Sequence, residues 1–98
     1  MIANVPQAVA ANLRGKIFAK YSHSVQRYPI GGIKIELHRF SVSKEKLVAT
    51  AISAQDGMFY FRDVPAGTYT ITLPDAQTFV FKVKSKPQQD LAPIVLEK

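Results

Sequence analysis

The sequence predicts an all-β domain, either a sandwich of two sheets or a small barrel, from three observations. Apolar and polar side chains alternate with a period of two residues in several segments, which is the pattern of strands buried on one face. No window of comparable length has the 3.6-residue period of an amphipathic helix. Glycine, proline and aspartate separate the alternating segments at the spacing that is typical of sandwiches and barrels.

Each strand can be assigned in chain order from its own pattern. The fifth interleaves threonines with Tyr69, Ile71 and Leu73, a β-branched set that suits a pleated surface. The second and sixth alternate clearly and predict inward side chains at Ile33, Ile35 and Leu37, and at Phe79, Phe81 and Val83. The seven predicted strands are residues 13–21, 32–40, 47–54, 58–62, 68–73, 78–84 and 91–96.

Two turns are predicted from local chemistry. Asp56-Gly57 favours a two-residue hairpin turn, because both residues tolerate positive φ values. In the segment 64–67, Pro65 presets φ at the second position and Gly67 lies fourth, which predicts a type I turn. The hairpin register pairs Ala54 with Phe59 and Ile52 with Phe61, and it predicts five inward side chains, namely Val48, Ile52, Ala54, Phe59 and Phe61.

The stretch from Gly57 to Ile71, Gly-Met-Phe-Tyr-Phe and then Asp-Val-Pro-Ala-Gly-Thr-Tyr-Thr-Ile, resembles the core motif of carboxypeptidase regulatory-like domains. One departure is Ser53-Ala54, where that family commonly has Thr-Asp. The resemblance implies a seven-stranded Greek-key β-sandwich of the transthyretin- or immunoglobulin-like kind. It also implies an accessory module without catalysis of its own.

Length and composition indicate one ordinary domain. The chain has 98 residues, of which 47% are hydrophobic and 20% charged. We expect an N-terminal arm at residues 1–12 and the sandwich at residues 13–98. The lack of cysteine excludes a disulfide scaffold, and the short apolar runs predict no membrane-spanning segment. No signal peptide is evident, so the chain is expected to be either cytoplasmic or the trimmed form of a secreted or envelope protein.

The candidates for catalysis and metal binding favour structural interpretations. His38 shares the outward parity of Lys34 and Glu36, and His23 lies in a polar loop without an evident carboxylate to orient it. Two distant histidines without cysteine do not supply a zinc site. We therefore predict no catalytic residue, no metal and no cofactor. Four aspartates could hold Ca²⁺ if they met in space, but each also suits its own loop: Asp56, Asp63, Asp75 and Asp90.

Basic and aromatic side chains are the predicted binding groups. The formal net charge of +6 favours anionic partners, although alternating lysines also keep a sheet face hydrated and discourage edge pairing. By parity, Phe18, Tyr21, Tyr28 and Tyr60 are the aromatic residues expected to be exposed. The predicted binding surface consists of Lys16, Lys20, Tyr21, Tyr28, Lys82, Lys84 and Lys86.

Taken together, the sequence favours a non-enzymatic interaction or structural module that docks to or stabilises a larger protein assembly, such as a surface or particle component. Strand edges and the loops at residues 20–29 and 41–46 are the expected contacts, with a protein partner or a homo-oligomer. The alternative is a module that binds carbohydrate or another polyanion through its basic faces and exposed aromatic rings. Nucleic acid is less favoured, because the chain lacks tryptophan and most aromatic residues are assigned to the core.

Overall fold

The computed structural model describes residues 10–21, 23–41 and 45–97, and these form β-strands and no helix. Accordingly, the described residues contain no helix that could cross a membrane. The all-β prediction and all seven predicted strands are confirmed, and two strands of two and three residues are additional, too short to show alternation. The strands are β1 (Ala11–Lys20), β2 (Tyr28–Pro29), β3 (Lys34–Arg39), β4 (Lys46–Ile52), β5 (Met58–Val64), β6 (Gly67–Thr72), β7 (Thr78–Val83), β8 (Gln88–Asp90) and β9 (Ile94–Glu97).

Sheet I is built around β1. On one side β1 pairs antiparallel with β5 along its first half and with β2 near its end. On the other side β8 and then β9 pair with β1 in parallel. Every second residue of β1 from Ala11 to Ala19 is buried, so the long central strand presents one face to the core. This strand begins two residues inside the predicted N-terminal arm, of which residues 1–9 lie outside the described part.

Sheet II is an antiparallel sheet of four strands in the order β4-β3-β6-β7. Its inner face carries buried Ile35 and Leu37 from β3 and Tyr69 and Ile71 from β6, as predicted. Tyr69 also donates its hydroxyl to the Pro65 carbonyl at 2.7 Å, which ties β6 to the turn that precedes it. The phenylalanines of β7 are partly buried against the same core.

The two sheets pack around one core, and the closest packing lies between β1 and β5. A Cβ atom built on Gly15 would lie 2.3 Å from Cζ of Phe59, so the ring occupies the space that a side chain at position 15 would need. Phe59 and Phe61 contact each other edge to face, with ring centroids 6.0 Å apart. Both rings are buried, as predicted.

The predicted hairpin between β4 and β5 is wrong, because β4 belongs to sheet II and β5 to sheet I. The turn itself is present, since Gly57 has a φ of 80° and donates its N–H to the Ala54 carbonyl at 2.8 Å. Asp56 does not have the positive φ that the two-residue turn requires, and its carboxylate instead accepts the Met58 N–H at 3.0 Å. The chain therefore uses this turn to pass from one sheet to the other.

The predicted inward side of β4 is also wrong. Val48, Ile52 and Ala54 are exposed, whereas Ser53 is buried. The Ser53 hydroxyl donates to the Ile30 carbonyl at 2.8 Å and accepts the Ile33 N–H at 3.1 Å. These two hydrogen bonds hold the Ser53 side chain inward. Because alternate residues of a strand point to the same side, Ala49 and Ala51 also face inward, and Val48 and Ile52 face outward.

A β-bulge lies at the beginning of β4. The register with β3 shifts so that Leu47 and Val48 together oppose His38. Both of these apolar side chains are exposed as a result of the two-against-one pairing. From Ala49 to Ile52 the strand pairs regularly with β3.

Candidate interaction surfaces

His38 lies on the outer face of sheet II, as predicted, together with Lys34 and Glu36. Its Nε2 is 3.2 Å from Oε1 of Glu36, and Nζ of Lys34 is 3.6 Å from Oε2 of the same carboxylate. Thr70 pairs with His38 across the strands, but its hydroxyl is buried and hydrogen bonds to none of the described residues. A nucleophile must contact its base and be reachable by substrate, so these side chains do not form a catalytic triad.

Three of the four aspartates considered for Ca²⁺ have separate partners of their own. The carboxylates of Asp56 and Asp75 each accept the backbone N–H two residues further on, which is the usual role of aspartate in a turn. Asp90 forms an ion pair with Arg14. Within residues 10–21, 23–41 and 45–97, no three histidine, aspartate or glutamate side chains come together as metal ligands. His23 is an exposed residue of the loop between β1 and β2.

The outer face of sheet I combines basic and aromatic side chains. Lys16 and Lys20 occupy outward positions of β1, and Nζ of Lys16 lies 5.3 Å from the centroid of the Phe18 ring. Tyr60 of β5 pairs with Arg14 and is 58% exposed. A shallow groove of about 350 Å³ runs beside this pair, with Arg62 among its lining residues.

An ion pair crosses the same face from β1 to β8. The Arg14 guanidinium donates from Nε and Nη2 to the two carboxylate oxygens of Asp90, at 3.0 and 3.1 Å. These hydrogen bonds and the positive charge lower the pKa of Asp90 below its ordinary value, and the carboxylate raises the pKa of Arg14. Both side chains are exposed, so solvent screens the pair.

Tyr21 and Tyr28 form a separate aromatic pair at the end of β1. Their ring centroids are 5.9 Å apart, and a hydrogen bond with Tyr21 raises the pKa of Tyr28 above its ordinary value. Tyr28 pairs with Ala19, which points inward, whereas Lys20 projects outward. The tyrosines and the lysines of β1 therefore lie on opposite sides of the strand.

The other three predicted binding residues lie along β7 and the segment after it. Lys82 projects from the outer face of sheet II, and Lys84 and Lys86 follow the strand, all three being exposed. The seven residues of the predicted binding surface thus occupy three places: the outer face of sheet I, the end of β1, and the β7 edge of sheet II. They do not form one site.

The sequence interpretation missed an apolar patch on the outer face of sheet II. It consists of five side chains that are 45 to 63% exposed: Phe40, Leu47, Val48, Ile52 and Val80. The first four lie at β4 and the end of β3, whereas Val80 lies on β7, and the register places His38 and Thr70 between Val80 and Leu47. Of these, Val80 was predicted to point outward, whereas Val48 and Ile52 were assigned to the core. The alternation of small and large residues in β4 could have indicated this surface. Ala49 and Ala51 are small enough to face the core, and the residues between them then face outward.

The two loops expected to carry binding lie at opposite ends of the sandwich. The 20–29 loop follows the end of β1. Phe40, by contrast, donates its N–H to the Thr68 carbonyl at the start of β6, next to the turn that follows Val64. Val64 pairs with Ala11 at the beginning of β1, so Phe40 lies at the end of the sandwich where β1 begins, and the 20–29 loop follows the opposite end of this strand. The apolar patch therefore extends toward the 41–46 loop, of which residues 42–44 lie outside the described part.

The model of the family described as BOS complex subunit NOMO1-like, second beta sandwich domain, matches residues 12–90, which run from β1 to the end of β8. The chain belongs to this family. The carboxypeptidase regulatory-like resemblance is thus supported at the level of a transthyretin-like β-sandwich, and the family that matches is a different one. The search of curated proteins found no match.

Solved structures with the same fold belong to diverse proteins. The minor pilin GBS52 of Streptococcus agalactiae matches with a TM-score of 0.68 at 11% identity, over 92% of this chain and 45% of the pilin. PA1324 of Pseudomonas aeruginosa, a protein proposed to bind carbohydrate, matches with a TM-score of 0.60 at 18% identity, over 94% and 91%. Transthyretin from Sparus aurata matches with a TM-score of 0.58 at 16% identity, over 84% and 89%.

Two enzymes also contain a similar sandwich. This chain spans 43% of the length of an (S)-allantoin synthase and 18% of a 9R-lipoxygenase from Cyanothece. It spans less than half of the GBS52 pilin as well. At these identities the likeness shows the fold alone, and function has to be argued from the surfaces described above.

Proposed function

We propose that this domain is a non-enzymatic interaction module that docks to another protein and thereby stabilises a larger assembly. The observation that carries the proposal is the apolar patch on sheet II. Large apolar side chains are unfavourable in water, and several of them on one sheet face are typical of a surface that a partner covers. The family description supports this function, because it names a complex subunit with more than one β-sandwich domain.

The position of the apolar patch narrows where docking takes place. Its members Phe40 and Leu47 flank residues 41–46 in the chain, so this end of the patch is the one nearest that segment. The outer face of sheet I differs, because its exposed side chains are mostly charged. A protein partner with an apolar contact surface is therefore expected on sheet II, near the 41–46 loop.

Site-specific crosslinking tests this function. A photoreactive residue at Val80, which is 63% exposed on sheet II, should crosslink to one partner of defined mass in the cells that produce the protein. The same residue at Tyr60, 58% exposed on sheet I, is the matched control and should not. The variant Leu47→Lys should in addition reduce recovery of that partner, and Tyr60→Lys should not. Equal crosslinking from both faces, or none from Val80, would contradict the proposal.

The outer face of sheet I favours a second candidate function, binding of an acidic carbohydrate. Here Arg14 and Arg62 lie beside Tyr60 along a groove, and Lys16 covers the Phe18 ring. Cations beside an exposed ring suit sulfated or carboxylated sugars, because the ring stacks on the sugar and the cations attract the anionic groups. PA1324 supports this candidate only through its fold.

Elution from immobilised heparin separates this second function from non-specific charge attraction. If the groove binds the polymer, the double variant Tyr60→Ala, Arg62→Ala should elute at clearly lower salt than the wild type. Lys82→Ala, Lys84→Ala removes two cations from sheet II and should change elution less. If instead elution follows net charge alone, with the lysine variant shifted most, binding at the groove is refuted.

A further inference from the structure

The strand edges of the two sheets differ in how well they are protected against another strand. An edge strand exposes a row of unpaired N–H and C=O groups, and proteins normally block it with charges, proline, bulges or a covering side chain. In sheet II the edges are β4 and β7. Their protection is unequal.

The β7 edge is covered at its end. Gln89 donates from its side-chain amide to the Lys82 carbonyl at 2.8 Å and accepts the Lys84 N–H at 2.9 Å. These backbone groups point away from β6, because the odd-numbered residues of β7 make the ladder bonds. One glutamine side chain thus occupies the last outward positions of this edge, where Lys82 and Lys84 also add like charge, and this cover does not extend to Thr78 and Val80.

The edges of sheet I are blocked in other ways. Toward its end, β5 contains a bulge in which Asp63 has a φ of 54°, next to the charged residue Arg62. The strands β2, β8 and β9 have only two, three and four residues. None of these offers a long, flat and uncharged row of backbone groups.

The β4 edge is open over its regular part. The N–H of Ser53 donates to Ile33 of the neighbouring segment, so by alternation the backbone groups of Thr50 and Ile52 point away from β3. No described residue hydrogen bonds to these groups, and both side chains are exposed. The protection that β4 does have, Lys46 and the bulge at Leu47 and Val48, lies at its beginning.

We propose that β4 pairs antiparallel with β4 of a second copy of this chain, an inference that rests on the proposed interaction function and names one partner for it. A two-fold axis at Thr50 would place Thr50 opposite its own counterpart. Val48, the bulged residue, would then lie opposite Ile52 of the other copy at each end of the pairing, so the regular ladder between the copies is centred on residues 49–51. The two four-stranded sheets would continue as one sheet, and the exposed β-branched side chains would pair across the junction.

Charge selects this edge for self-association. The chain carries a net charge of +6, so two copies repel each other over most of their surfaces. Residues 47–54 contain no charged side chain, and in the register about Thr50 no like charges face each other within this run. Pairing through β7 would instead carry Lys82 and Lys84 of each copy into the junction between two positively charged domains. A second copy is therefore the partner that suits the β4 edge and not the β7 edge.

A charge-swap experiment on the full chain tests this arrangement. Sedimentation velocity of the wild type should show a monomer that converts to a dimer as the concentration rises. Thr50→Lys and Thr50→Glu should each lose the dimer, because two like charges meet at the axis, and an equimolar mixture of the two should regain it. Thr78→Lys and Thr78→Glu are matched controls, since Thr78 is exposed on the other edge of sheet II, and they should dimerise like the wild type.

Hydrogen exchange supplies an independent readout. Raising the concentration should slow amide exchange at Thr50 and Ile52, which face the second copy, and should leave Ala51 unchanged, since its amide faces β3. A wild type that stays monomeric, or a dimer that survives both charges at Thr50, refutes the pairing. A monomer that still crosslinks from Val80 to a different protein would refute the second copy while leaving the proposed function intact.

Discussion

At the scale of single residues, Ser53 decides how the middle of the chain is arranged. It is buried, and its hydroxyl bridges the Ile30 carbonyl and the Ile33 N–H. Its backbone also exchanges hydrogen bonds with this segment, through the Gly32 N–H and the Ile33 carbonyl. This one small polar side chain therefore fixes which face of β4 meets the core.

Replacing Ser53 by alanine should lower the free energy of unfolding by about 1 to 3 kcal/mol, because two partly buried backbone groups lose their partner. Urea denaturation measures this loss. Ser24→Ala is the matched control, since the Ser24 hydroxyl also accepts a backbone N–H but does so at an exposed site. The control should change stability by less than about 0.5 kcal/mol. Equal effects of the two substitutions would show that Ser53 is not a structural bridge.

The ion pair between Arg14 and Asp90 predicts a pH dependence with a definite sign. Folding lowers the pKa of Asp90, so the stabilisation is present above the carboxyl pKa of the unfolded chain. It should disappear as the pH falls through the lower pKa of the folded state. Unfolding curves of wild type and Asp90→Asn should thus differ at neutral pH and converge in acid. A difference that grows in acid would contradict this assignment, and added salt should reduce it at neutral pH.

At the scale of strands, β1 and β5 of sheet I pack closely at Gly15 and Phe59. Alternate residues of β5 point in opposite directions, so that Phe61 is 3% exposed and Tyr60 is 58% exposed. Gly15 of β1 provides the space under Phe59. Alternation predicted this face of β5 correctly even though the predicted partner strand was wrong.

The substitution Phe61→Ala should cost about 3 to 5 kcal/mol, because it removes a buried ring from a core that has little room to collapse. Tyr60→Ala, one position away on the outer face, should be nearly neutral. Chemical denaturation of both variants measures the difference between the two faces of β5. A near-neutral Phe61→Ala would contradict the inward orientation of this residue.

At the scale of the whole molecule, the chain passes between the two sheets at β2–β3, β4–β5, β5–β6 and β7–β8. Neither sheet is a continuous piece of the chain. Since each sheet is assembled from segments that the other sheet connects, one sheet cannot unfold while the other stays intact.

We therefore expect a single unfolding transition. Leu13→Ala in sheet I and Ile71→Ala in sheet II both remove buried side chains, and each should lower the midpoint of that same transition. Far-ultraviolet circular dichroism and tyrosine fluorescence should follow coincident curves in both variants. Two separate transitions, or a variant that shifts one probe only, would show that the sheets unfold independently.

The inward face of a strand could be predicted where apolar and polar residues alternate clearly within that strand. In β3, β6 and β7 large apolar residues alternate with polar ones, and their inward faces were predicted correctly. From Leu47 to Ile52 the residues of β4 at both parities are uncharged, so alternation does not distinguish Ala49 from Val48. The turn at Asp56-Gly57 then favoured the wrong choice, because such a turn usually joins neighbouring strands of one sheet.

The candidate surfaces were predictable only in part, for a related reason. Sequence parity identified Tyr60 and Lys82 as exposed, but it carries no information on which sheet a strand joins. Val48 and Ile52 of β4 were assigned to the core for the same reason. Lys20 and Tyr21 are adjacent in the chain, yet Lys20 projects outward from the last position of β1 and the Tyr21 ring contacts Tyr28, so their neighbourhood in sequence does not make a common site.

The class of the fold, the positions of the long strands and most of the buried side chains can be predicted from the amino-acid sequence. They follow from local periodicity and turn chemistry, which act over a few residues. The partner of each strand, the exposed apolar patch and the open edge of β4 emerge in the folded molecule. They depend on hydrogen bonds between segments far apart in the chain, such as those of Ser53 with Ile30 and Ile33.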